Sequence, residues 1–260
     1  MTQLRVLYED NHLLVVDKVA GIATMGTASD VPTVARQAAQ YLKQKYNKPG
    51  NVFVGVVSRL DSLVTGVLIL ARTSKAASRL SAQIRQQLPQ KRYLALVEGV
   101  LPNKMGPWWQ LDDWVAKHEG QHRMQIVPKG YQSAQLASLR VRTLAVGARA
   151  SMVEIELLTG RKHQIRLQLS AAGCPVLGDR KYESTRMFPA GIALHCARVK
   201  IEHPTLRATM TFTSLPDEAW LCPTGMPPRR NDNRSSGKRE ITRLVEQGVA
   251  KWQQECRNEG

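Results

Sequence analysis

The stretch VVSRLDSLVTGVLILA, Val56 to Ala71, places an arginine and an aspartate between two apolar runs that both predict buried strands. A charge that is buried without a partner is strongly destabilising, so charged residues between core strands need an explanation. One explanation is a turn in which Arg59 and Asp61 face water. The other is a catalytic carboxylate at the mouth of a cleft. Taken alone, the stretch favours the plain turn and leaves the catalytic alternative open.

The rest of the chain predicts many strands with a few helices between them. Two strands surround a polar turn at residues 9–11, and a helix over 32–46 has Ser29 or Asp30 as its expected cap. Apolar residues at every fourth position predict a helix over 73–88, and Gly173 is expected to end a helix over 159–173. Further strands are predicted over 51–57, 65–71, 91–100, 122–127, 134–146, 151–158, 191–204 and 207–216.

This order of elements predicts an α+β fold, with a mixed, mostly antiparallel central sheet flanked by helices. The regular βαβ alternation and Gly-rich phosphate loop of dinucleotide-binding proteins are missing from the sequence. We expect one catalytic domain over 1–222. Residues 223–260 predict a basic, flexible C-terminal tail with a short helix over 241–255, because a Pro-, Gly-, Ser- and Arg-rich segment precedes that helix.

The charge balance points to a polyanionic partner. The 260 residues include 37 basic and 21 acidic side chains, a net charge of +16, and nucleic acid is the commonest large polyanion. A membrane surface is the competing partner, but no long basic amphipathic helix with an aromatic face is evident. No apolar run is long enough for a membrane span, and no secretory leader is evident. Four scattered cysteines suggest neither a zinc site nor a disulfide framework, so a cytoplasmic protein is expected.

Several polar residues on otherwise apolar elements could carry chemistry. Tyr93 lies in a predicted strand, where most tyrosines are core residues with a solvated hydroxyl. Basic side chains at the start of a helix oppose its dipole, so they either face solvent or meet an anion. His195 is expected to be structural. The basic residues that open the predicted helix over 159–173 are Arg161, Lys162, His163 and Arg166.

Common hydrolytic chemistries find no support. Only Asp61 is placed like a catalytic carboxylate, whereas a glycosidase normally needs two. The sequence has no nucleophile elbow, HExxH motif or zinc-deaminase pattern. What remains is one carboxylate in a strongly basic chain, without an evident metal or cofactor.

At this point five motifs, in the same order along the chain, resemble the RluA-type pseudouridine synthases. SRLDSLVTGVLILA resembles the family signature His-Arg-Leu-Asp-Arg, a variable residue, Thr/Ser, Ser/Thr, Gly and an apolar strand. The segment VLYEDNHLLVVDKVAG resembles the first strands of the family, with Val19 in place of a proline. The other three motifs are QKRYLALVEG, TGRKHQIRLQLSAAGCPVLGDRKY and ALHCARVKIEHP.

The resemblance implies conversion of uridine to pseudouridine in a structured RNA, ribosomal or transfer, without metal or cofactor. It implies that Asp61 is the essential aspartate, and that Tyr93 stacks on the target base and assists proton transfer. It further implies that Arg166 pairs with the aspartate and that Arg59 occupies the space of the flipped-out base. Arg161, Lys162 and His163 are then expected to contact the RNA. No N-terminal S4-type domain is expected, and a monomer is the expected oligomeric state.

The sequence departs from the family pattern next to the aspartate. Ser58 and Ser62 replace the usual histidine and arginine, and Leu63 and Val64 replace a more polar pair. These changes affect RNA contacts and cleft shape more than bond chemistry. Two alternatives therefore stay open: an inactive RNA-binding or RNA-chaperone protein on the same fold, and a hydrolase acting on small nucleosides or glycosides.

Overall fold

The computed structural model describes residues 4–26, 31–101, 107–189, 191–217, 220 and 234–258, with the backbone alone for 234–238. This part of the chain forms eleven strands. The strands are β1 Arg5–Glu9, β2 Leu13–Lys18, β3 Gly55–Val56, β4 Thr65–Ala71, β5 Gln90–Glu98, β6 Trp109–Lys117, β7 Met124–Ile126, β8 Gln135–Val146, β9 Ala150–Leu157, β10 Leu194–Glu202 and β11 Thr209–Thr213. The helices are α1 Val34–Lys45, α2 Ser74–Arg85, α3 Gln164–Ala171 and α4 Arg234–Asn258, with a 3₁₀ turn over Arg180–Tyr182.

The chain divides into two compact units, which split the predicted catalytic domain. The first unit comprises residues 1–91 and 196–214, and the second comprises residues 92–195 and 215–260. Strands β5 and β10 each contribute residues to both units. The boundary expected at residue 222 stays a prediction, since 221–233 lie outside the described residues.

The first unit is built on β4, whose seven residues are all buried. Strand β2 pairs antiparallel with β4 and also with β1, and the short β3 pairs antiparallel with β4. Strand β10 lies beside β4 and pairs antiparallel with β11. The fully buried run from Leu13 to Val16 explains this arrangement, since a strand buried on both faces is apolar throughout.

Threonine side chains begin both helices of the first unit. The hydroxyl of Thr33 accepts a hydrogen bond from the backbone N–H of Arg36 in α1, and Thr73 does the same for Ala76 in α2. Thr33 is thus the cap of α1, and the expected Ser29 and Asp30 lie outside the described residues. Helix α2 ends at Arg85 rather than at Leu88, whose side chain is 59% exposed. The four-residue spacing of apolar residues therefore predicted a helix that is three residues too long at its C-terminal end.

The second unit contains the strand order β5, β9, β8, β6, β7. The pairs β6–β7, β6–β8 and β8–β9 are antiparallel. The α+β class and the antiparallel pairing predicted from the sequence are confirmed. Strand β6 was not predicted, because its polar and aromatic residues do not alternate clearly.

Strand β9 alternates apolar residues with glutamates, yet the structure covers both of its faces. Glu154 is fully buried, and Glu156 is nearly so. Helix α4 packs on β8 and β9, and the indole N–H of Trp252 donates to Glu154 over 2.8 Å. The guanidinium of Arg142 balances the charge of Glu154. The C-terminal segment thus includes a 25-residue packed helix where a flexible tail with a short helix was predicted.

Candidate active site

Asp61 lies in a turn between β3 and β4 that main-chain hydrogen bonds fix on several sides. Within this turn Leu60 is buried, Asp61 is half-buried and Arg59 is exposed. The hydroxyl of Thr24 donates to the carbonyl of Leu60 over 2.8 Å and accepts from its N–H over 3.1 Å. The N–H of Gly21 donates to the carbonyl of Ser62 over 2.9 Å. The turn therefore presents a carboxylate from a defined backbone.

Lys18, at the end of β2, binds three backbone carbonyls in and beside this turn. Its side chain is buried, at 2% exposed, and its Nζ donates to the carbonyls of Val19, Ser62 and Val64 over 2.9, 2.9 and 2.7 Å. Burial lowers the pKa of Lys18 to about 8, and the nearby carboxylate of Asp61 partly offsets that effect. The ammonium thus ties the segment from Ser62 to Val64 to β2 and adds positive charge beside Asp61.

The glycine that follows the turn is required by the packing of β4. Gly66 has φ +107°, and a Cβ on it would lie 2.3 Å from the carbonyl oxygen of Cys196 in β10. No side chain fits there, and the positive φ disfavours other residues in any case. The Thr-Gly pair of the opening stretch therefore marks a close approach of two backbones.

Tyr93 and the basic residues before α3 lie in the second unit. Tyr93 is buried in β5, next to the fully buried run from Leu94 to Val97. Lys162 is exposed and Arg161 half-buried, with the Nε of Arg161 donating to the carbonyl of Leu136. His163 is the residue before α3 and adopts a left-handed conformation with φ 54°.

Arg166 is buried in α3, at 4% exposed, and is held by Asp179. Its Nε donates to Oδ2 over 2.6 Å and its Nη2 to Oδ1 over 2.8 Å, so the carboxylate accepts two hydrogen bonds from one edge of the guanidinium. Asp179 is 1% exposed. The ring of Tyr182 lies against the same guanidinium, with its centroid 5.1 Å from Cζ. The pairing of Arg166 with Asp61 stays a prediction, and Asp179 is a partner that the sequence did not identify.

Tyr182 is itself fixed by two further contacts. Its hydroxyl accepts a hydrogen bond from the N–H of Met124 over 2.9 Å and lies 2.8 Å from Nδ1 of His163. It therefore joins the start of β7 to the residue before α3. Both partners lie far from it in sequence, so sequence reasoning had no signal for this contact.

Exposed basic residues lie on and around the turn between β6 and β7 and on the neighbouring 3₁₀ turn. The Nζ of Lys181 donates to the carbonyl of His122 over 3.0 Å, which places the two turns side by side. A cleft of about 510 Å³ is lined by residues 116–122 and 131–133. The exposed basic residues here are Lys117, His122, Lys129, Arg180 and Lys181, and we call this surface the basic turn.

Within the described ranges, no three or more His, Cys, Asp or Glu side chains are grouped so that they could hold a metal ion. In the same ranges, no helix combines the length and apolarity that crossing a bilayer requires.

Comparison with known proteins decides the family. Residues 12–171, which include Asp61, Tyr93 and Arg166, match the model of the RNA pseudouridylate synthase family. The chain belongs to that family. The chain is 30% identical to the dual-specificity RNA pseudouridine synthase RluA of Haemophilus influenzae, over 82% of its own length and 94% of that relative's. It is 31% identical to the ribosomal large subunit pseudouridine synthase D of Nitrosomonas europaea, over 83% of its length and 63% of that relative's.

Solved structures of pseudouridine synthases support the fold. The structure titled human RNA pseudouridylate synthase domain containing 4 has a TM-score of 0.67 and 20% identity to this chain, covering 92% of it and 93% of the human chain. Domain containing 1 has a TM-score of 0.64 and 24% identity, covering 91% and 94%. These likenesses confirm the predicted pseudouridine synthase fold.

Membership of the pseudouridylate synthase family confirms the resemblance inferred from the motifs. The two units divide the predicted catalytic residues: Arg59 and Asp61 lie in the first, and Tyr93 and Arg166 in the second. Sequence reasoning missed Thr24, Asp179 and Tyr182. A signal for Asp179 was present, because it is an acid directly after the apolar run PVLG.

Proposed function

We propose that this chain isomerises specific uridines to pseudouridine in a structured RNA. The reaction breaks the C1′–N1 bond, turns the uracil and joins C1′ to C5, with the proton on C5 moving to solvent and N1 gaining one. No group is consumed, since substrate and product are isomers. The observation that carries the proposal is the family match over 12–171, which contains an aspartate in a rigid turn, a buried tyrosine and a buried arginine.

Asp61 is the proposed essential group. Its carboxylate can attack C1′ or stabilise positive charge on the sugar, or it can take the C2′ proton on a route through a glycal. The turn serves each of these routes, because Lys18, Thr24 and Gly21 fix the main chain around Asp61 before the substrate binds.

Tyr93, Arg166 and Arg59 complete the proposed site. Stacking of the extruded uracil on Tyr93 recovers part of the unstacking cost, on the order of 1–3 kcal/mol per base. Arg166 pairs with Asp61 in the proposed site and balances its charge, and the planar fork of the guanidinium suits a carboxylate better than a lysine does. Arg59 is exposed on the turn, where it can enter the space that the flipped base leaves.

RNA is the proposed substrate, ribosomal or transfer. A net charge of +16 supplies sequence-independent attraction to phosphate. Lys162 and the basic turn offer exposed basic side chains. Arg161 and His163 flank Lys162 in the sequence. The names of the relatives support an RNA substrate, because one is called a dual-specificity RNA pseudouridine synthase and the other is named for the large ribosomal subunit. We further propose a cytoplasmic monomer.

The test is to map pseudouridines in ribosomal and transfer RNA from a strain that lacks the gene. We expect at least one site to disappear, to return with the wild-type gene and to stay absent with Asp61→Asn. Asp112→Asn, which changes an exposed acid on β6, should restore the site and is the matched control. Equal pseudouridine levels with Asp61→Asn and wild type would refute the proposal and favour an RNA-binding protein without turnover.

Salt dependence separates the synthase from a small-molecule hydrolase. Phosphate contacts release counterions, so RNA affinity should fall steeply with salt concentration. Replacing Lys181 with glutamine in the basic turn should reduce the slope of log K against log salt by about one. A hydrolase of nucleosides would instead release free uracil and bind its substrate with no such slope.

A further inference from the structure

Arg166 has more side-chain contacts than the neutralisation of its buried charge requires. One carboxylate would be enough to balance its buried charge. Asp179 supplies that carboxylate on the Nε–Nη2 edge, and Tyr182 adds a ring against the guanidinium plane. Together the two side chains restrict both rotation of the group within its plane and tilt of that plane.

This geometry determines where the rest of the guanidinium points. The group is planar, so fixing Nε and Nη2 on Asp179 also fixes the direction of Nη1. A lysine in place of Arg166 would lose this property, because an ammonium rotates freely about its stem. The pairing with Asp179 therefore defines the direction from which an acid elsewhere can be bound.

Asp179 and Tyr182 are in turn held by the backbone around them. The carbonyl of Asp179 accepts from the N–H groups of Tyr182 and Ser184, which close the 3₁₀ turn. Burial alone would raise the pKa of Glu98, but hydrogen bonds from Ser184, Thr185 and Arg186 outweigh it and lower that pKa. Glu98 in β5 thus fixes the segment that follows Tyr182. The carboxylate of Asp179 is a rigid support, not a mobile counterion.

We propose that Asp179 is a positioning residue for Arg166, with Tyr182 as the second support. Asp179 acts through the arginine and does not touch the substrate. The inference rests on the proposed function, in which Arg166 pairs with Asp61. It deepens that function because it assigns the orientation of the arginine to the segment Gly178–Tyr182.

The central experiment compares Asp179→Asn with wild type in single-turnover reactions. The substrate is total ribosomal and transfer RNA from a strain that lacks the gene, and the readouts are the rate constant, the RNA dissociation constant and the thermal midpoint. We expect the rate constant to fall about 100-fold, since a misplacement of about 1 Å can cost that much. RNA affinity should change less than about threefold, because the side chain of Asp179 is buried.

A matched control separates positioning from stability. Glu154→Gln removes another buried carboxylate of the same unit, one that binds Arg142 and Trp252. It should lower the thermal midpoint as Asp179→Asn does, yet leave the single-turnover rate within about threefold of wild type at temperatures where both variants are folded.

The double variant Arg166→Met, Asp179→Asn tests whether Asp179 works through the arginine. We expect it to react no more slowly than Arg166→Met alone, since no orientation remains to be lost. Its thermal midpoint should exceed that of Arg166→Met, which leaves the Asp179 charge buried without the arginine. Asp179→Glu, which keeps the charge but moves it by one methylene, should recover stability and only part of the rate.

Each outcome bears on one claim. If Asp179→Asn reacts within threefold of wild type, or if its rate falls only as its folded fraction falls, the positioning role is overturned. If the double variant is slower than Arg166→Met by a further 100-fold, Asp179 acts independently of the arginine and the inference fails. If wild type forms no pseudouridine in any RNA, the proposed function itself fails, which is a separate result.

Discussion

The turn that carries Asp61 and the pocket that holds Arg166 are built in opposite ways. The turn is fixed through its backbone: Lys18 and Thr24 bind main-chain groups of Leu60, Ser62 and Val64. The pocket is fixed through side chains, with Asp179 and Tyr182 contacting the guanidinium directly. The side chain of Asp61 can therefore be replaced without loss of the turn. Replacing Arg166, Asp179 or Tyr182 should instead destabilise the fold as well.

This difference explains why a short motif predicts one region and not the other. A turn held through its main chain tolerates changes in its side chains, since Lys18 and Thr24 bind backbone groups there. A buried ion pair depends on a specific partner 13 residues along the chain. The four predictions below test this contrast.

The largest expected effect is on the rate with Asp61→Asn. Loss of the carboxylate should reduce single-turnover formation of pseudouridine by at least about 10³-fold, because general acid–base or nucleophilic work depends on its charge. The thermal midpoint should change by only a few degrees, since Asp61 is half-buried. Asp179→Asn should lower both quantities. If Asp61→Asn also caused a large loss of stability, the turn would depend on its side chain as the Arg166 pocket does, and the contrast between the two regions would fail.

The next effect is on stability, and it compares two glycines with positive φ. Gly66→Ala should cost more than about 4 kcal/mol in the free energy of unfolding, because the new Cβ would meet the backbone of Cys196. Gly173→Ala, after α3, has φ +77° and open space around its Cβ position, so strain alone should cost about 1–2 kcal/mol. Urea unfolding measures both. Equal costs in the free energy of unfolding would show that the backbones of Gly66 and Cys196 do not approach each other as closely as the structure indicates.

The third prediction concerns pH and Lys18. Because its pKa falls from 10.5 to about 8 on folding, the unfolded chain binds more protons between these values, and stability rises with pH across that window. The variant Lys18→Met has no ammonium at this position and therefore lacks this pH dependence of stability. The advantage of wild type over Lys18→Met in the free energy of unfolding should therefore increase by up to about 3 kcal/mol from pH 8 to 10.5.

The pH control comes from the other region. Arg166→Met, Asp179→Asn keeps Lys18, so the contribution of Lys18 cancels against wild type and the difference between the two proteins should change far less over the window. A flat difference for Lys18→Met as well would contradict the burial of its ammonium.

The smallest effect is expected for Thr24→Val. The isosteric change leaves the N–H and carbonyl of Leu60 without the hydroxyl that now binds both, at a cost of about 1–3 kcal/mol. Thr211→Val, on an exposed position of β11, should be neutral within about 0.5 kcal/mol. The rate of Thr24→Val should fall with little change in RNA affinity, and a neutral result would show that Lys18 suffices to hold the turn.

Much of the fold was predictable because strand and helix patterns are local. The paired strands of 4–18, the buried run of β4 and the strands β8 to β11 follow from apolar periodicity and turn residues. The errors arose where a distant segment changed the environment. The sequence did not show that Glu154 on β9 is buried, because α4 covers it and supplies its partner Trp252. Leu88 extended the apolar spacing of α2, but its side chain stays exposed among the residues that the structure describes.

The sequence by itself determined the α+β class, the family and the turn at Asp61, since each follows from contiguous motifs whose spacing is fixed by the chain. Only the tertiary structure decided how Lys18 binds that turn, that Asp179 and Tyr182 support Arg166, and that α4 buries Glu154. The physical reason is that a buried charge must find its partner in space, and the distance along the chain does not identify that partner.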